Sequence, residues 1–144
     1  VCSSDLVISQ IGGHDLFIAV AAVADWRVAS VSEQKIKKQQ GQTPSLQFEH
    51  NPDILATVAA LPSPPYCVGF AAESEDLLTQ GAAKREKKRI PLLVGNIGHQ
   101  TFGKDDNELV LFDENGHHAL PRASKDVLAG MLIREIAQRL KTHS

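Results

Sequence analysis

A chain of 144 residues with 42% apolar and 22% charged residues has the length and composition of one ordinary folded domain, which excludes a disordered polymer. Its net charge of −2 lacks the strongly basic balance usual in nucleic-acid binders. No apolar run approaches the length of a membrane span, and the start shows no signal-peptide pattern, so neither nucleic acid nor membrane is an expected partner. Cys2 and Cys67 have no metal-ligand spacing and are too few for a disulfide framework, so a reducing, cytoplasmic compartment is expected.

In chain order, "DLVISQI" reads as a helix tail ended by Gly12-Gly13, and "DLFIAVAAVA" as a continuous apolar strand covered on both faces. "SEQKIKKQQ" follows, a basic polar segment carrying Lys35, Lys37 and Lys38, and then "SLQFEH" as a short extended piece. "NPDILATVAAL" predicts a helix with Asn51 as N-cap, Pro52 at the first helical position and Asp53 in the first turn. "PYCVGFAA" is a second buried strand. "SEDLLTQGAAKREKKRI" is a helix whose basic half suits the negative end of its dipole.

"PLLVGN" is a third apolar strand. "ELVLF" and "HHALPR" form a hairpin around Glu114-Asn115-Gly116. A last helix from Ser124 aligns Val127, Leu128, Met131, Leu132, Ile136 and Leu140 on one face. The order strand, helix, strand, helix, strand, then hairpin and helix, predicts a single α/β domain over residues 1–144. Its expected sheet is mostly parallel, with helices on both faces.

Ligands of open α/β sheets sit beyond the carboxyl ends of the strands. Asp25, Phe70 and Asn96 fall at or near such ends, while Lys35, Lys84, Lys87 and Lys88 follow close by, with Lys84 and Lys88 on one helix face. Each also has a plain structural reading: a solvated strand end, a core ring, a solvated surface. The helix start at Asn51 is explained as a cap, although its free N–H groups also suit an anionic ligand. His14, His50, His99, His117, His118 and His143 make no zinc pattern, and neither a glycine-rich dinucleotide fingerprint nor a P-loop is present.

Taken together, "AAVADWR", "EQKIKK", "NPDIL", "VGFAAES", a basic helix and "LLVGN", in that order from Leu16 to the final helix, resemble the phosphopantothenoylcysteine synthetase family. This is the ligase half of a bacterial two-activity enzyme of coenzyme A biosynthesis. The resemblance implies a Rossmann-like domain that joins 4′-phosphopantothenate to L-cysteine using CTP and Mg²⁺, through an acyl-cytidylate, with release of pyrophosphate. It implies that Asp25 contacts the nucleotide and that Lys35, on a flap, is the catalytic lysine needed when cysteine attacks. Pro52, Asp53, Ile54 and Leu55 match the family's nucleotide-contacting turn, Phe70 its phenylalanine, and Lys84 and Lys88 its helix lysines. Ala22 and Asn96 fall in the same segments with less defined roles.

The chemistry suits these residue types. A triphosphate and a carboxylate in one site repel each other, and lysines are point charges that offset the repulsion. A polar flap excludes water that would hydrolyse the acyl-cytidylate. The resemblance also implies a homodimer, and a flavin-dependent (FMN) decarboxylase half elsewhere in the full-length protein. The N-terminal part of the ligase domain is expected to be missing from this chain, which alone should be weakly active or inactive. Two other readings stand beside it: another Rossmann-like nucleotide enzyme such as an NAD(P)-dependent oxidoreductase, and a non-enzymatic anion-binding module.

Overall fold

The computed structural model describes residues 3–30, 45–73, 75–97 and 105–143. The chain forms two compact units, one of Val1–Val20 with Ile54–Ser144 and the other of Ala21–Asp53.

The larger unit holds a five-stranded sheet. Its strands are β1 (Leu16–Ala19), β4 (Tyr66–Glu73), β5 (Leu92–Ile97), β6 (Asp106–Asp113) and β7 (Gly116–Ser124), laid side by side in that order. β1, β4 and β5 run parallel, and β5, β6 and β7 pair antiparallel. The expected α/β fold is present, but the hairpin joins the same sheet, so parallel pairing is confined to its first three strands. Among the described residues four helices accompany the strands: α1 (Ser3–Gln10), α2 (Ile54–Ala59), α3 (Leu77–Lys88) and α4 (Lys125–His143).

Strand alternation divides the core in two. Tyr66, Val68, Leu92, Val94, Leu109 and Leu111 turn to one face, where Leu128, Leu132 and Ile136 of α4 cover them. Cys67, Leu93, Val110 and Phe112 turn to the other, against Leu55 and Val58 of α2 and Leu77 of α3. Helices therefore cover both faces, as the sequence pattern predicts. α3 approaches the sheet closely at Gly81, where a Cβ would stand 2.5 Å from the Phe112 ring. β6 and β7 are joined through Glu114-Asn115, and the positive φ of 117° falls on Gly116, which carries no Cβ to oppose it.

Three expectations change. The strand read into "DLFIAVAAVA" stops at Ala19; it is a half-buried edge strand, and Val20 and Val23 are exposed. The backbone turns at once, with the Val20 N–H donating to the Ile18 carbonyl at 3.2 Å. The α2 helix begins at Ile54, not Pro52. Val127, 48% exposed, lies outside the buried stripe of α4.

The smaller unit is a two-stranded antiparallel sheet of β2 (Trp26–Val28) and β3 (Phe48–His50). Trp26 faces His50 across the ladder, with ring centroids 3.8 Å apart. On the other side of the ladder the Arg27 Nε donates to Glu49 Oε1 at 2.6 Å. The basic segment with Lys35 lies outside the described residues.

Candidate functional site: two strand-end clusters

In the smaller unit the candidate residues gather at one end of the β2–β3 ladder. The Asn51 backbone N–H donates to the Asp25 carbonyl at 2.9 Å, and its side-chain Nδ2 donates to the Ala24 carbonyl at 2.7 Å. Asn51 therefore clasps the segment before β2 to the segment after β3. Asp25 is brought beside the Pro52-Asp53 turn, with Ala22 three residues upstream of Asp25. Asn51 is the site residue that sequence reasoning missed: an asparagine before Pro-Asp signals a helix cap, and only the fold reveals that its amide points back to residue 24. Asp25 and Asp53 carry carboxylates there, and Trp26, 54% exposed, adjoins Asp25.

In the larger unit the candidates lie on the second halves of β4 and β5 and on α3, on opposite faces of the sheet. Phe70, 39% exposed, shares the α4 face with Val68, and its register partner on β5 is Val94. Asn96, opposite Ala72, lies on that same face. Glu73 closes β4 on the other face, where Lys84 of α3 meets it with Nζ 2.5 Å from Oε1. Lys88 stands one turn further along α3.

Ile54 and Leu55 open α2, and Leu55 is 8% exposed, its side chain committed to the core beside Cys67 and Ile90. Only its backbone remains to meet a ligand. Lys35 lies outside the described residues. No group of three or more His, Cys, Asp or Glu side chains able to hold a metal occurs among the described residues. No described helix is long and apolar enough to cross a membrane.

A sheet whose first three strands run parallel, with helices on both faces, defines a Rossmann-like α/β domain. More particularly, the family model for the DNA/pantothenate metabolism flavoprotein C-terminal domain matches residues 4–140, and the chain belongs to that family. It is 42% identical over 139 residues to the coenzyme A biosynthesis bifunctional protein CoaBC of Vibrio cholerae, covering 93% of this chain and 35% of that protein. The chain thus spans about a third of the length of the curated relatives it matches.

Among solved structures, the C-terminal domain of a CoaBC protein superposes with a TM-score of 0.75 at 24% identity, covering 96% of this chain and 61% of that one. A Cab2 mutant in complex with phosphopantothenate-cysteine superposes with a TM-score of 0.68 at 20% identity, covering 88% of this chain and 44% of that one. These likenesses show the fold.

Proposed function

We propose that this chain carries nucleotide-handling parts of a phosphopantothenate–cysteine ligase acting in coenzyme A biosynthesis, its two units serving as one functional domain. The observation that carries the reading is the double hydrogen bond of Asn51, which joins Asp25 to the Pro52-Asp53 turn. Family membership and the name of the Vibrio cholerae relative support it.

In this reading the substrate is CTP with Mg²⁺ on its phosphates, where hard carboxylate oxygens such as those of Asp25 and Asp53 suit the ion. The carboxylate of 4′-phosphopantothenate attacks the α-phosphate and displaces pyrophosphate; the cysteine amine then attacks the acyl-cytidylate carbonyl and releases CMP. Lys84 and Lys88 offset the crowded negative charge of triphosphate and carboxylate. Phe70 offers an apolar face to the bound molecule, and Lys35 serves the second step. The homodimer, the cytoplasmic location and the FMN-dependent decarboxylase half belong to the same reading of the full-length protein.

Trp26 fluorescence supplies the test, because Trp26 follows Asp25 in the chain and is half exposed. Titration with CTP and Mg²⁺ should give a saturable change, with ATP giving little. Equal responses to CTP and ATP would overturn the CTP assignment, and no response to either would overturn the claim that this chain holds the nucleotide by itself.

A further inference from the structure

A second concave site lies at the amino-terminal ends of β4 and β5, away from Glu73. Ala59, Pro64, Pro65, Cys67, Ile90 and Pro91 form its apolar wall, and Arg85 and Arg89 its charged edge, around a cavity of about 410 Å³. That volume lies within the range that small-molecule sites occupy. On β4, its Cys67 lies six residues before Glu73 at the strand tip, roughly 20 Å at the usual rise per residue.

The walls are rigid. Three of the wall residues are prolines with fixed φ, and Ile90 and Cys67 are each 1% exposed. Arg85 is held through its side chain and Arg89 through its backbone. The Arg85 Nη1 donates to the Ile90 carbonyl at 3.0 Å, which orients its guanidinium and leaves most of its donors unspent. Arg89 closes α3 in the left-handed conformation, φ 53°, with its N–H directed to the Arg85 and Glu86 carbonyls. Among the described residues neither guanidinium pairs with a carboxylate, whereas Arg27, Arg122 and Arg139 each do. Two like charges four residues apart at a helix end repel, and an anion between them relieves that repulsion.

We infer that this pocket is a binding site for a small organic anion, a phosphate or carboxylate carried on a compact apolar body. The charged group sits between Arg85 and Arg89, and the body lies against Pro64, Pro65 and Pro91. The site is independent of the nucleotide reading, since it uses none of the same residues.

Phenyl phosphate is the probe, with phenol as its neutral counterpart, followed by the Nε–H signals of Arg85 and Arg89 in nitrogen-15 NMR spectra of the whole chain. Saturable shifts of both signals with phenyl phosphate, absent with phenol, are expected. Arg89→Gln should weaken binding at least about tenfold, the loss of one charge-assisted hydrogen bond, while leaving the fold's spectrum in place. Arg85→Lys keeps the charge without the fork and should give an intermediate loss. Inorganic phosphate binding as tightly as phenyl phosphate would overturn the apolar part of the inference. Absence of shifts at millimolar probe, or unchanged affinity in Arg89→Gln, would overturn the whole.

Discussion

Lys84 of α3 holds its ammonium 2.5 Å from the Glu73 carboxylate at the end of β4, tying the helix to the carboxyl tip of the strand. Glu73 is 14% exposed and Lys84 45%, so the pair is unequal: the carboxylate is the desolvated partner. Lys84→Met should therefore cost about 1–2 kcal/mol by leaving that carboxylate without its cation, more than Glu73→Gln costs. The double variant should recover part of the loss. Urea unfolding of the four proteins checks this, and equal costs for the two single changes would contradict the unequal burial.

Asn51 links geometry to ligand. Asn51→Ala removes the hydrogen bond to the Ala24 carbonyl and frees the segment before β2 from the turn after β3. About one hydrogen bond's worth of order is lost, and CTP affinity read by Trp26 should fall roughly fivefold. Stability of the larger unit should hardly change, since Asn51 lies in the smaller unit.

Two glycines predict opposite signs. At Gly81 an added methyl meets the Phe112 ring at 2.5 Å, and Gly81→Ala should destabilise by about 1–3 kcal/mol through overpacking. At Gly130 in α4 the nearest atom is the end of the Arg134 side chain at 4.0 Å. Gly130→Ala should stabilise by about 0.5–1 kcal/mol through the restored helix propensity. Melting temperatures of the two variants should move in opposite directions.

Burial pushes the Cys67 thiol above its ordinary value of 9.0, and burial, countered by Arg139, does the same to the Tyr66 phenol above 10.0. Both groups are neutral when protonated, and the folded chain favours that form. The unfolded chain gives up these protons first as pH rises, so stability is full below pH 9 and falls as pH climbs through the raised folded values. Melting temperature should decline above pH 9, and Cys67→Ala, though less stable at neutral pH, should show a shallower early decline.

The fold was legible where a residue's neighbours in sequence decide its place. Alternating or continuous apolar runs located β4, β5 and the β6–β7 hairpin, and the period of Leu128, Leu132 and Ile136 located the buried stripe of α4. It was misread where a remote partner decides. "VAAVA" has strand composition, but Val20 turns back on Ile18 and no ladder continues beyond Ala19. Asn51 has every local mark of a cap, yet a carbonyl 27 residues earlier claims its amide.

The candidate site shows the same division. The strand-end positions of Phe70 and Asn96 follow from strand order, while the burial of Leu55 and the pairing of Lys84 with Glu73 depend on how α2 and α3 lie on the sheet. The cavity lined by Arg85 and Arg89 left no mark in the sequence beyond a basic helix end, because its walls come from three separate segments.

Because β4 presents Phe70 to one side and Glu73 to the other, the strand tip acts as a partition between an apolar contact and a cationic one. Exchanging the ring for another side chain leaves the ammonium anchored, and altering the ammonium leaves the ring where it is. The two side chains are thus separable: each is adjustable by one substitution on its own side of the sheet.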